Sequence, residues 1–91
     1  MPTLKFTTHL QRFFPELEQN IQVEGNTVAA VVTNLERRFP GMAAYLIDET
    51  GMLRKHVNIF IEDELITDRQ RLSDAVQENN RVFIFQALSG G

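Results

Sequence analysis

The 91-residue chain is long enough for one modest hydrophobic core, so we expect a single domain over residues 1–91. Its twelve acidic and nine basic side chains give a net charge of −3, which argues against nucleic acid as the main partner. The absence of cysteine excludes disulfides, thiolate metal ligands and a cysteine nucleophile. No segment has the apolar run of a signal peptide or membrane span, so we expect a cytoplasmic protein with no membrane partner.

The N-terminal part of the chain predicts two short strands. Residues 4–8 alternate apolar and polar side chains, as a half-buried strand does, with Leu4 and Phe6 facing inward. A loop or a single helical turn over 9–16 separates this strand from a second one at 21–23. We expect the two strands to pair as an antiparallel hairpin.

The clearest helix in the sequence follows Thr27, whose side chain suits the N-cap position. Apolar residues then recur at helical spacing along one continuous face: Val28, Val31, Val32, Leu35 and Phe39. Pro40 and Gly41 end this pattern, and residues 42–47 predict a second, shorter helical turn. Because valine is an indifferent helix former, packing against a sheet must stabilise the main helix.

The C-terminal half predicts two longer strands. In residues 56–62, one face carries Val57, Ile59 and Ile61. A short segment around 65–66 follows, and then an irregular polar stretch over 68–80. Within that stretch a helical turn is predicted, with three apolar anchors: Leu72, Ala75 and Val76.

The last predicted strand, 81–88, is apolar on both faces, which places it in the middle of a sheet or opposite a partner. Because only one substantial helix is predicted to cover the sheet, we expect the second face to stay open. That face would carry an exposed aromatic patch for partner docking: Phe60, Phe83 and Phe85. The alternative is that the loop containing Phe13 and Phe14 folds over this patch.

The final residues, Leu88, Ser89, Gly90 and Gly91, are expected to form a mobile tail, because nothing beyond Leu88 can anchor the chain. Four extended residues reach roughly 13 Å. Two glycines lack Cβ atoms and can therefore enter a channel too narrow for side chains. The Gly91 carboxylate is ionised at neutral pH and becomes an acyl donor once another molecule activates it.

The remaining polar residues show no catalytic or metal-binding motif, so we expect no metal site and no catalysis by the chain alone. His9 and His56 are far apart and are interpreted as structural or surface residues. Small basic clusters occur at 54–56 and 69–71. Solvated surface charge is the favoured interpretation of both, and contact with an acidic partner surface is the other.

In its order of elements the chain resembles the MoaD/ThiS family of ubiquitin-like sulfur carriers. The resemblance depends most on the strand motif Val57-Asn-Ile-Phe60 together with the terminal Gly90-Gly91. The segment 48–55 before that strand is similar to the longer, CysO-like and MoaD-like branch. One departure is the turn at 62–64, Glu-Asp-Glu, where many relatives carry Asn-Gly or Asn-Asp.

The resemblance implies an α+β, β-grasp (ubiquitin-like) fold, in which a mixed sheet of four to five strands packs on one main helix and ends in a flexible Gly-Gly tail. It also implies that a ubiquitin-activator-like enzyme adenylates the Gly91 carboxylate. That partner would use ATP and magnesium, and the chain itself would bind no cofactor. Sulfur would then replace AMP to give a thiocarboxylate.

A sulfur-accepting synthase would be the second partner, making molybdopterin, cysteine or another sulfur-containing product. The aromatic face would be where partners dock. Two alternative functions and one question of processing stay open from the sequence. The chain could be a protein modifier joined to lysines through Gly91, or the small subunit of a sulfurtransferase such as molybdopterin synthase. If the gene encodes residues beyond Gly91, a processing metalloprotease must first remove them.

Overall fold

The computed structural model describes residues 1–7, 10–18 and 20–86, which fold into a mixed sheet and one main helix. In chain order the elements are β1 (Thr3–Phe6), α1 (Leu10–Phe13), β2 (Asn20–Gln22), α2 (Val28–Arg38), α3 (Ala43–Leu46), β3 (Val57–Ile61), β4 (Glu64–Leu65) and β5 (Arg81–Gln86). The strand, strand, helix, strand, short strand, strand order predicted from the sequence is therefore confirmed. Within these described ranges, no helix has the length and apolar character needed to cross a membrane.

The five strands form one sheet in the order β2-β1-β5-β3-β4. β1 pairs with β5 in parallel, whereas the β1–β2, β3–β5 and β3–β4 pairs are antiparallel. β5 is the central strand, as its two apolar faces predicted. Val82 and Ile84 are buried on its helix side, while Phe83 and Phe85 lie on the other face.

Helix α2 covers one face of the sheet. The Thr27 side-chain oxygen accepts a hydrogen bond from the Ala30 N–H at 3.1 Å and so caps the helix. The predicted apolar face is buried along its whole length: Val28, Val31, Val32, Leu35 and Phe39. Each such side chain contributes about 1.5–3 kcal/mol when it leaves water, which compensates for the weak helix propensity of valine.

The helical turn predicted within 68–80 is wrong. Of its three predicted anchors, Leu72 and Val76 are buried as expected, whereas Ala75 is exposed. The structure describes this whole segment, and it consists of turns organised by two carboxylates. Asp68 accepts hydrogen bonds from the N–H groups of residues 70, 71 and 73, and Asp74 accepts them from residues 67 and 68. These local bonds occupy N–H groups that a helix would use itself.

Candidate partner-docking face and root of the C-terminal segment

The sheet face opposite α2 carries the aromatic patch, formed by Phe60, Phe83 and Phe85. Strand register places Phe60 directly opposite Phe83, because β3 and β5 are antiparallel neighbours. The Phe60 and Phe85 rings meet edge to face at 5.7 Å, and the Phe83 and Phe85 rings are parallel at 6.3 Å. Phe85 is 44% exposed and the other two rings are half-buried. The three side chains thus form one continuous surface.

Two neighbouring strands extend this surface. On β4, Leu65 pairs with Phe60 and is 48% exposed, which adds apolar area at one edge. On β1, Lys5 pairs with Phe83, and its Nζ lies 5.6 Å from the centre of the Phe83 ring. This cation–π contact brings a positive charge to the other edge of the patch.

Phe13 and Phe14 do not cover the patch. Phe13 stacks on Tyr45 with a centroid distance of 5.0 Å. Phe14 contacts Tyr45 at 5.6 Å and Phe39 at 6.5 Å, both edge to face. The predicted alternative, in which this loop closes the open face, is therefore wrong.

The chain leaves the sheet at Gln86, which is buried with 9% exposure. Its side-chain amide donates a hydrogen bond to the Tyr45 carbonyl at 3.1 Å, and its Nε2 lies 3.4 Å from Nε2 of His56. Its backbone pairs with Val57 on β3. The C-terminal segment therefore starts from a fixed point. This anchor was not predicted from the sequence, although residue 86 follows the inward-facing register of Val82 and Ile84.

The predicted tail residues lie outside the described residues. Leu88, Ser89, Gly90 and Gly91 belong to the segment 87–91, so their assignment as the reactive end stays a prediction. The predicted strand 81–88 is observed as far as Gln86.

The turn between β3 and β4 sets one end of the open face. Glu62 has a positive φ of 56°, a conformation that Asn and Gly adopt more readily. Its carboxylate accepts hydrogen bonds from the Arg81 N–H at 2.6 Å and from the Arg81 guanidinium at 3.1 and 3.2 Å. These bonds, the backbone one first, lower the pKa of Glu62. The turn therefore ties β3 to the first residue of β5.

Metal-ligating side chains do not converge in this part of the molecule. Among the described residues, no group of three or more His, Cys, Asp or Glu side chains is placed to hold a metal ion. The described residues instead form an exposed apolar surface, the aromatic patch, beside the anchored end of β5 at Gln86.

Comparison with known proteins identifies close relatives of this arrangement. The model of the ThiS family matches residues 4–91. The sulfur carrier protein CysO of Mycobacterium tuberculosis (strain ATCC 25618 / H37Rv) is 30% identical over 76 residues, which is 81% of this chain and 82% of the relative. The CysO protein of Mycobacterium bovis matches with the same values.

Solved structures of similar fold support the same relationship. The crystal structure of Mycobacterium tuberculosis CysO has a TM-score of 0.84 at 27% identity, covering 97% of this chain and 100% of that one. The crystal structure of the Amycolatopsis orientalis BexX/CysO complex has a TM-score of 0.85 at 24% identity and covers both chains in full. The crystal structure of SAMP1 from Haloferax volcanii has a TM-score of 0.75 at 21% identity, covering 98% of this chain and 97% of that one. The last two matches, being under 25% identical, show the fold alone. Together these matches confirm the β-grasp fold.

Proposed function

This chain belongs to the ThiS family, and we propose that it is a cytoplasmic sulfur carrier protein that reacts through the carboxylate of Gly91. The observation that carries the proposal is the family match over residues 4–91, which includes the diglycine end. The CysO relatives, which are named as sulfur carrier proteins, support it. The activating enzyme supplies catalysis, and this chain is its co-substrate.

The proposed chemistry has two steps. On a ubiquitin-activator-like partner, a Gly91 carboxylate oxygen attacks the α-phosphorus of ATP. This step forms the acyl adenylate and releases pyrophosphate. Hydrosulfide then attacks the acyl carbon, AMP leaves, and one proton is released as the thiocarboxylate forms. The partner binds ATP and magnesium and provides the acid–base groups, because a free carboxylate is a poor acyl donor without activation.

The folded body serves docking and presentation in this proposal. The aromatic patch is the docking surface, since a cluster of exposed aromatic rings is typical of the residues that contribute most binding energy in interfaces. Gln86, held by Tyr45, fixes the point from which the reactive segment starts. A docked partner therefore receives the C-terminus from a defined position.

The sulfur acceptor is proposed to be a cysteine-forming synthase. The relatives at 30% identity are CysO proteins, and the branch that this chain resembles includes the carriers of cysteine synthesis. A stable complex with the synthase, as in a sulfurtransferase small subunit, is compatible with the same chemistry.

Intact-protein mass spectrometry tests the function. Incubation with the cognate adenylating enzyme, ATP, magnesium and sulfide should raise the mass of the chain by the difference between one sulfur and one oxygen atom. The control variant lacks Gly91 and should show no change. A wild-type chain that keeps its mass, while a known carrier gains sulfur under the same conditions, would reject the proposal.

Protein modification is the competing function, because this fold is shared with the small archaeal modifier proteins. Conjugation through Gly91 predicts a ladder of adducts in cell extract that disappears when Gly90 and Gly91 are deleted. A ladder without thiocarboxylate formation would favour the modifier function over the carrier function.

A further inference from the structure

Two basic clusters that are separate in the sequence meet in the structure. The Arg69 guanidinium donates a hydrogen bond from Nη2 to the Arg54 carbonyl at 2.7 Å, and the Leu53 N–H donates to the Arg69 carbonyl at 2.8 Å. Lys55 follows Arg54 directly and is exposed. We name Arg54, Lys55 and Arg69 the basic strip.

The basic strip lies beside the aromatic patch and near Gln86, where the C-terminal segment starts. Arg69 Nη1 donates to Oδ1 of Asn58 at 3.2 Å, and Asn58 is the register partner of Phe85. The positive charge therefore lies beside the most exposed ring of the aromatic patch. Lys55 lies two residues before Val57, which pairs with Gln86. The strip consequently lies near the point where the C-terminal segment leaves the sheet.

No salt bridge among the described residues involves the basic strip. In the ranges 1–7, 10–18 and 20–86, the ion pairs are Met1 N-terminus to Glu78 and Arg81 to Glu62. Neither involves the strip. Arg54 also acts electrostatically on Asp48, as the last of several causes that lower the pKa of that carboxyl.

Two of the three cations are also held in place by neutral groups. Arg54 Nε donates to the Ala44 carbonyl at 2.8 Å, and Arg69 is fixed by Asn58 and the Arg54 carbonyl. Guanidinium groups fixed in this way lose less conformational entropy when they bind a carboxylate than free side chains do. Each guanidinium has more N–H donors than these bonds use, and neither forms a salt bridge with a described carboxylate.

A cluster of three acidic residues lies at the opposite end of the same strand. β3 starts beside Lys55 and ends at the turn with Glu62, Asp63 and Glu64. The five-residue strand between the two groups spans roughly 16 Å. The open face is thus positive near the root of the C-terminal segment and negative at its far end.

We propose that the basic strip binds carboxylate side chains on the adenylating enzyme and so sets the direction in which the carrier docks. This inference rests on the proposed function, because the adenylating enzyme must both cover the aromatic patch and receive Gly91. A reversed orientation would place Asp63 and Glu64 against the same carboxylates and would be repelled, since Glu62 is paired with Arg81. A nucleic acid is the less favoured ligand, since the chain carries −3 overall.

Lys55→Glu tests the inference with little risk to the fold, because Lys55 is exposed and makes no hydrogen bond or ion pair with a described residue. Arg37→Glu is the matched control. It makes the same change in net charge on α2, which covers the opposite sheet face. Affinity for the adenylating enzyme, measured by calorimetry at low and high salt, and the adenylation rate at saturating carrier are the readouts.

Lys55→Glu should weaken binding about fivefold or more at low salt, and the loss should shrink at high salt because charge pairs at an interface rim are screened. Arg37→Glu should change the affinity less than about twofold. At saturating carrier, Lys55→Glu should be adenylated more slowly than wild type, because part of the bound carrier then docks in the reversed orientation, whereas Arg37→Glu should keep the wild-type rate. That combination would support an orienting role for the strip.

Equal affinities of wild type and Lys55→Glu at every salt concentration, with normal adenylation, would overturn this inference and leave the proposed function standing. Absence of adenylation of the wild-type chain would overturn both. Salt-sensitive binding of a labelled oligonucleotide, lost in Lys55→Glu while enzyme affinity is unchanged, would assign the strip to nucleic acid and overturn the inference.

Discussion

The Glu62 carboxylate binds Arg81 twice, through the backbone N–H at 2.6 Å and the guanidinium at 3.1 Å. Glu62 holds this position with a left-handed backbone, φ 56°, that disfavours a residue with a Cβ atom. The hydrogen bonds to Arg81 offset that cost. The result is a turn in which a charged residue replaces the Asn or Gly that the conformation favours.

Replacement of Glu62 separates the two effects. Glu62→Ala should lower the midpoint of urea unfolding, because it loses the bonds to Arg81 and keeps the unfavourable φ. Glu62→Gly should fall between wild type and Glu62→Ala, since glycine accepts the backbone conformation. A Glu62→Ala midpoint equal to that of wild type would show that the Arg81 bonds do not stabilise the turn.

Acid should destabilise the fold through Asp68. Hydrogen bonds lower the pKa of Asp68 from its ordinary value of 3.8 to about 2. The bond from the Ser73 hydroxyl has the largest effect, and the bond from the Arg71 N–H comes next. A carboxyl with a lowered pKa in the folded state contributes stability above its unfolded pKa and loses it as the pH falls. The free energy of unfolding should therefore decrease between about pH 4 and pH 2.

Asp68→Asn should flatten this pH dependence, as measured by urea unfolding at a series of pH values. The matched control is Asp63→Asn, an exposed position for which the structure describes no hydrogen bond. It should keep the wild-type slope. An unchanged slope in Asp68→Asn would show that other carboxyls carry the acid sensitivity.

The loop before α2 should not tolerate a side chain at Gly25. A Cβ atom there would lie 2.6 Å from Cγ2 and 2.7 Å from the backbone nitrogen of Val31, and φ is +154°. Gly25→Ala should cost about 2–4 kcal/mol in unfolding free energy, combining backbone strain and overpacking.

Gly51→Ala provides the comparison for Gly25→Ala. Gly51 also has a positive φ, +89°, but an added Cβ would meet no atom within 4 Å. Its cost should be about 1–2 kcal/mol, from backbone strain alone. Equal losses in the two variants would contradict the close approach of the loop to Val31.

Removal of the Phe85 ring should weaken docking of the adenylating enzyme. Phe85→Ala should raise the KM for the carrier in adenylation about tenfold or more, with a smaller effect on kcat, because a central aromatic contact is lost. Phe13→Ala is the matched control, since Phe13 is similarly exposed, at 55%, but stacks on Tyr45 away from the patch. A larger KM increase in Phe13→Ala than in Phe85→Ala would show that the docking surface lies on the side of the molecule that carries Phe13.

Much of this architecture follows from local patterns. The spacing from Val28 to Phe39 predicted α2, and alternation predicted the face that Val57 and Ile59 share on β3, because helix and strand periods determine which side chains share a face. The error over 68–80 has a local cause as well. Asp68 and Asp74 bind nearby N–H groups, and apolar spacing alone does not reveal such bonds.

By itself the sequence determined the main helix and the order of the strands, the aromatic character of the open face and the family resemblance, since all of these depend on the order of residue types along the chain. The tertiary structure alone decided that Arg69 meets Arg54, that Gln86 is held by Tyr45 and that Phe13 stays away from the patch. These contacts join residues 15 to 41 positions apart, or separate elements of the fold. They depend on how the strands pair and how the loops pack, which no local periodicity specifies.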